Sequence, residues 1–257
     1  MKTKVIFSIP FTGKTPFKDF DGDDGFKGNT WYRHRADIFK EYTIKSLANQ
    51  TDKDFLVWVQ FREKERKNPI TRMIRRLMNE AGLNFICTFN GAILREDKAY
   101  WHNDNLIERA EKSLKELGDI NEDYVVEVGL DSDDMVHKEF VDLVKNEPHR
   151  EAFYMKGGYI YSTDGRLAEW KNPESMSIYT INYPTRVFSN AKEHFDYQKG
   201  FSSHEQIPNI FDAKQLPDGL YCATTHGQNI STVWEHPFRG KEIYSETAKK
   251  QIISNFK

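Results

Sequence analysis

The stretch VVEVGLDSDDMVHKEF, residues 125–140, decides how the chain is read. An apolar, β-branched run leads into three carboxylates, Asp131, Asp133 and Asp134. Like charges at the end of a buried strand repel one another, so the arrangement implies a cation among them. A hard divalent ion prefers oxygen ligands, and two carboxylates spaced i, i+2 on the turn after a strand converge on one ion. The bland alternative is a helix cap, with Asp133 or Asp134 at the start of a helix beginning at Met135. That accounts for one aspartate, not three.

Working outward, residues 4–9 read as a first strand and residues 54–60, DFLVWVQ, as a second. LNFICTF and DYVVEVGL give a third and a fourth. Between them lie helical periods. Ile38, Phe39, Tyr42, Ile44, Ser46 and Leu47 form one inner stripe, and Ile70, Met73, Ile74, Leu77 and Met78 another, closed by Gly82. Leu106, Ile107, Ala110, Leu114 and Leu117 form a third, capped by Asn103 or Asp104 and closed by Gly118. Strand and helix alternate, which implies a mostly parallel sheet with crossover helices. Ligands in such sheets bind beyond the carboxyl ends of the strands, where the aspartates stand. After Phe140 the texture changes. FYMKGGYIYSTDGRLAEW reads as antiparallel strands turning at Gly157-Gly158 and Asp164-Gly165, GLYCATTHGQNIS as a strand entering a polar loop, and residues 246–256 as a last helix. The expectation is one α/β domain, with an N-terminal α/β half over about residues 1–135 and a mixed half over residues 136–257.

Composition narrows the function classes. The chain has 257 residues, with 37 basic and 39 acidic side chains and a formal charge of -2, so no global charge signal points to nucleic acid or membrane. Aromatic residues are 14%, compatible with a cleft that stacks on a base or a sugar. Cys87 and Cys222 lack a neighbour at metal spacing and read as free thiols, which suits a cytoplasmic, reducing setting. The start reads as a strand rather than a signal peptide, and no run approaches a membrane span.

An apolar strand ending in LDSDD resembles the Asp-x-Asp motif of nucleotide-sugar glycosyltransferases with the GT-A fold. Residues 35–60, RADIFKEYTIKSLANQTDKDFLVWVQ, resemble a family of rhamnosyltransferases in their order of Arg, Phe, Ser-Leu, Gln-Thr and F-x-W strand. SSHEQIP and HGQNIS resemble its later motifs. The resemblance spans Trp31 to about Ser231. It departs at the acid-rich loop 10–30 and at EVGL, which stands where the family usually carries an Arg before the aspartates. It implies a GT-A-like, Rossmann-type fold and transfer of a sugar from a dTDP- or UDP-sugar to an acceptor hydroxyl, on a glycan or cell-surface polysaccharide. It further implies Mn²⁺ or Mg²⁺ held by Asp131, Asp133 and His226, with Asp134 at the loop or the sugar and Asn229 orienting His226 or a phosphate oxygen. Arg35 suits diphosphate oxygens, because a guanidinium fork matches them and a cation at a helix start is otherwise disfavoured. Ser8 and Phe11 at the end of the first strand should border the base, with Phe11 or Trp31 stacking on it. His204 and Glu205 are the candidates for the base that deprotonates the acceptor.

Two further stretches invite a site. DFDGDDGF, residues 19–26, resembles a calcium loop but has Asp24 where the pattern needs Gly and Thr30 where it needs Glu. REKERKNPITRMIRR, residues 62–76, reads as a basic face on an amphipathic helix, either simply solvated or a candidate for contact with a lipid-linked acceptor at a membrane surface, an anionic polymer or DNA. Rival readings are a nucleotidyltransferase, for which FTGKTPF lacks a Gly-rich phosphate loop, a non-catalytic metal- or sugar-binding module, and a glycosyltransferase acting on nucleic acid.

Overall fold

The computed structural model describes residues 2–12, 29–91, 104–147, 149–201, 203–227, 229 and 232–257. The calcium-like stretch 19–26, FTGKTPF beyond Thr12, most of the acidic loop and Asn103 lie outside them.

Alternation of strand and helix is realised as expected. Strand β1 (Thr3–Pro10) is followed by helix α1 (Asn29–Phe39), a π-helical turn (Lys40–Ile44) and helix α2 (Lys45–Ala48). Strand β2 (Phe55–Gln60), helix α3 (Pro69–Glu80), strand β3 (Phe85–Thr88), helix α4 (Asp104–Leu117) and strand β4 (Tyr124–Gly129) come next. Local chemistry sets the helix ends. Asn68 caps α3, its side chain accepting from the Ile70 amide at 2.8 Å, with Pro69 in the first turn. Gly82 and Gly118 follow helices α3 and α4 with φ of 69° and 83°, the left-handed region glycine enters without strain. Strands β1, β2, β3 and β4 pair in parallel.

The second half adds β5 (Met135–Val136), α5 (Phe140–Asn146), β6 (Ala152–Tyr154), β7 (Gly157–Ser162), β8 (Leu167–Lys171) and β9 (Tyr179–Pro184). Helices α6 (Thr185–Phe188), α7 (Ala191–Tyr197) and α8 (Ile207–Ile210) come after β9, then β10 (Ala213–Gln215), β11 (Tyr221–Thr225), β12 (Arg239–Glu242) and α9 (Glu246–Ile253). Among the described residues a seven-stranded sheet has the order β10-β6-β9-β4-β1-β2-β3, with β9 antiparallel to both neighbours. A five-stranded sheet has the order β12-β8-β7-β11-β5. The fold is therefore mixed α/β, with a mostly parallel main sheet flanked by helices. One apolar cluster joins the sheets: Val5, Phe7 and Val128 of the first meet Ile160, Ala168 and Ala223 of the second.

Two local expectations are corrected. Gly157-Gly158 is not a turn; both glycines lie in β7. A Cβ on Gly158 would sit 2.3 Å from the Tyr221 carbonyl oxygen, so close approach of backbone explains that glycine, while one on Gly157 would sit 2.4 Å from Cγ of the Asp218 side chain. The hairpin β7–β8 does turn at Asp164-Gly165, as read. Nor does a helix begin at Met135. That segment is β5, antiparallel to β11 with Tyr221 opposite Val136, and the helix waits until Phe140.

Candidate active site

β4 delivers the aspartates to the carboxyl end of the parallel strands. Its partner β1 runs level with it, Ser8 opposite Gly129, and the Leu130 amide donates to the Ser8 carbonyl at 3.2 Å. The chain then turns, the Asp134 amide donating to the Asp131 carbonyl at 3.2 Å. Helix α2 and the loop behind it pin residues 136–141. The buried Ser46 hydroxyl accepts from the Val136 amide at 2.7 Å and donates to the Val136 carbonyl at 2.8 Å. Gln50 donates to the His137 carbonyl at 2.8 Å and accepts from the Val141 amide at 3.1 Å. The Thr51 amide reaches the Lys138 carbonyl at 2.7 Å. The Ser-Leu and Gln-Thr pairs of the sequence motif are thus clips that fix the segment carrying the aspartates.

Asp133 is the centre. Arg35 of α1 forks onto it, Nη1 to Oδ2 at 2.7 Å and Nη2 to Oδ1 at 2.9 Å, while Nε of the same guanidinium donates to the Ser132 hydroxyl at 2.8 Å. His226, just past β11, brings Nε2 to 3.2 Å from Oδ2. Asn229 donates to Oδ2 at 3.2 Å and to the Thr224 carbonyl at 2.9 Å, and accepts from the His226 amide. Burial works against ionisation of Asp133, but the Arg35 and His226 contacts outweigh it and hold the carboxyl below its ordinary range.

Asp134 is a different carboxyl. Thr224 donates its amide to Oδ1 at 3.0 Å, and the Tyr221 hydroxyl donates to Oδ2. Burial, then the charges of Asp133 and Asp131, push it well above the ordinary range. Tyr221 in turn shares a 2.6 Å hydrogen bond with Ser177. Asp131 is half-buried, and its carboxylate makes no hydrogen bond or ion pair among the described residues.

The other expected residues fall into two groups. Ser8 is buried and its hydroxyl accepts from Gln60 at 2.7 Å. Phe11 is 1% exposed and packs against Tyr32, Phe39 and Phe61, with ring centroids 5.2–5.8 Å away; it is core rather than a stacking platform. Trp31 is also buried, with the Arg35 guanidinium 5.9 Å from its ring, so it backs the arginine. His204 and Glu205 stand apart from the aspartates in a 3₁₀ turn, where His204 Nδ1 lies 2.9 Å from the Ser175 carbonyl. That carbonyl is two residues from Ser177, which joins Tyr221 and Asp134.

Sequence reading missed Ser132, Ser177, Tyr221 and Thr224. It also missed the role of His34, whose ring lies 5.5 Å from that of His226. Burial, with His226 and Arg35 nearby, lowers the His34 imidazole below its ordinary value. His34 lines a cavity of about 550 Å³ with Thr30, Arg33, Asp37, Asn68, Pro69 and Ile70, between α1 and the start of α3.

The residues as they stand do not fit the expected Mn²⁺ or Mg²⁺ set of Asp131, Asp133 and His226. Both oxygens of Asp133 accept from Arg35, and Oδ2 also faces His226 and Asn229. Among the described residues no three His, Cys, Asp or Glu side chains converge as a group able to hold an ion.

A carboxylate, arginine and histidine cluster at the carboxyl end of a mostly parallel sheet is the ligand-binding position of an α/β enzyme. The family profile described as "Putative rhamnosyl transferase" matches residues 27–236, and the chain belongs to that family, a family of glycosyltransferases. No curated protein matches it in sequence. Among solved structures, TarS of S. aureus (residues 1–349) aligns over 87% of this chain and 60% of its own, with 15% identity and a TM-score of 0.42. A second S. aureus TarS structure aligns over 88% of this chain at 16% identity and a TM-score of 0.38, this chain spanning 37% of its length. The inositol-1-phosphate CTP transferase of T. maritima aligns over 99% and 96% at 12% identity and a TM-score of 0.42. Among the described residues no helix is long and apolar enough to cross a membrane.

Proposed function

We propose that the chain transfers a sugar, rhamnose by the family's description, from a nucleoside diphosphate to a hydroxyl of a glycan or cell-surface polysaccharide. The observation that carries the proposal is the convergence of Arg35, His226 and Asn229 on Asp133 at the strand ends in a member of this family. Arg33 and His34 border the adjoining cavity and offer N–H groups to a diphosphate there. Asp131, a carboxylate with no hydrogen-bond or ion-pair partner among the described residues, is placed to accept from donor hydroxyls. The departing diphosphate gains negative charge as the glycosidic bond breaks, and a fixed guanidinium near it stabilises that charge without reorganising.

His204 is the base in this reading. A carbonyl only accepts, so Nδ1 carries its proton toward Ser175, and the neutral ring presents its lone pair at Nε2 for the acceptor hydroxyl. Glu205 in the same turn is the alternative base. Lys64, Arg66, Lys67, Arg72, Arg75 and Arg76 are exposed on the outer side of residues 62–76, and we assign peripheral contact with an anionic membrane to them. The test of the central reading is release of nucleoside diphosphate from dTDP-rhamnose, UDP-glucose and related donors, with and without saccharide acceptors. Acceptor-stimulated release from one donor supports it. Absence of release from every donor, with the chain folded, refutes it.

A further inference from the structure

We infer that the guanidinium of Arg35 is the resident cation of the Asp133 carboxylate, so that Arg35 and a divalent metal ion compete for the same two oxygens. The sequence motif alone assigns that carboxylate to a metal. The geometry assigns it to an arginine. The fork is two-pronged, at 2.7 and 2.9 Å, and its third nitrogen is held by Ser132 at 2.8 Å, so the guanidinium plane is fixed at three points. The side chains are only 15% and 8% exposed, so this is not a surface pair that water and salt dissolve. Oδ2 also faces His226 and Asn229, each at 3.2 Å. Asp134 gives no relief, since Thr224 and Tyr221 engage both its oxygens. That leaves Asp131, and a single carboxylate is a poor site for a hard divalent ion, which takes six or more oxygens.

Arg35 reaches a buried partner that is distant in sequence. It lies in the second turn of α1, 98 residues from Asp133 in sequence, with Trp31 behind it at 5.9 Å. The pair is charge-compensated, so Asp133 has its counter-ion whether or not metal is present.

The inference concerns the same site as the proposed transfer, but it is read without any donor. Mn²⁺ is titrated into the nucleotide-free full-length chain, and free Mn²⁺ is followed by electron paramagnetic resonance. Wild-type protein should show no Mn²⁺ site that depends on Asp133. Arg35→Met should gain one site, tighter than any in wild type by at least about tenfold, the equivalent of one charge-assisted hydrogen bond no longer broken. The gain should vanish in Arg35→Met/Asp133→Asn. Arg35→Lys keeps the charge without the fork and should show a smaller gain; it carries the test if the Met variant does not fold. Wild type binding Mn²⁺ through Asp133 as tightly as the variants, or a folded variant gaining no site, overturns the inference. A failure of the transferase reading appears elsewhere, as the absence of nucleotide binding, and leaves this Mn²⁺ result standing.

Discussion

Replacing Asp133 by Asn tests the site as a piece of folding physics. The substitution preserves shape and removes one charge, leaving Arg35, 15% exposed, without its counter-ion. Removing one partner of a buried ion pair costs about 3–5 kcal/mol. Two features move this case toward the lower figure: Ser132 still accepts from Nε, and the Asn carbonyl still accepts one N–H. Against them, the new amide N–H groups face donors from His226, Asn229 or Arg35. We expect a loss of about 3 kcal/mol, which at a urea slope near the top of the usual range of about 1–3 kcal/mol/M lowers the midpoint by about 1 M. Arg35→Met/Asp133→Asn removes both charges and should be more stable than Asp133→Asn alone, giving a coupling of about 2 kcal/mol. The folded-state Asp133 carboxyl lies below its ordinary value of 3.8, so its contribution is present above that pH and is lost as pH falls through the depressed value. Wild type should therefore lose its advantage over Asp133→Asn in acid. An Asp133→Asn midpoint within about 0.2 M of wild type, or additive single effects, would refute the reasoning.

The same contacts set other outcomes. Ser46→Ala leaves the buried Val136 amide and carbonyl without the hydroxyl that serves both, and should cost about 1–3 kcal/mol in urea unfolding while weakening nucleotide binding; unchanged binding would detach the clip from the site. Gly158→Ala places a Cβ 2.3 Å from a backbone oxygen that cannot yield, and should cost at least about 1–3 kcal/mol by thermal melt; a neutral result would mean β7 and β11 lie further apart. The folded-state Asp134 carboxyl is raised, so the folded chain favours its protonated form and wild type is increasingly destabilised by ionisation as pH rises above the ordinary 3.8. Asp134→Asn should thus gain on wild type as pH rises above the ordinary carboxylate value, and a pH-independent difference would contradict the assignment. His204→Ala should slow transfer by about 10²–10⁴-fold with donor binding kept, whereas equal loss of both would remove the base role.

Much of the fold was legible because the controlling interactions are local or periodic. The stripes over residues 38–47, α3 and α4 predicted their buried faces, and Gly82 and Gly118 marked helix ends, while the Asn68 cap went unread. The aspartates announced themselves by crowding charge at a strand end. Arg35 was read as a cation at a helix start, but α1 begins at Asn29 and carries it in the second turn, where the dipole has faded. What was not legible depends on partners far away in sequence. Met135 and Val136 are a strand only because Tyr221 and Cys222 arrive beside them and Ser46 holds them. Gly157 and Gly158 look like a turn until Asp218 and Tyr221 are packed on them. Ser132, Thr224 and Tyr221 act through single hydrogen bonds that leave no pattern. Phe11 and Trp31 carry the composition of a base platform but are packed into the core.

The central claim is that the Arg35–Asp133 cluster receives a nucleoside diphosphate. The most direct measurement is a thermal-shift panel of UDP, dTDP, GDP, CDP and ADP against wild type and Arg35→Gln, with and without Mn²⁺. A ligand bound only to the native state at 100 times its dissociation constant adds about 2.7 kcal/mol of stability. The account predicts that one diphosphate raises the wild-type melting temperature and that Arg35→Gln, though folded, loses most of the shift. No shift from any of the five, or a shift that Arg35→Gln keeps in full, would contradict it.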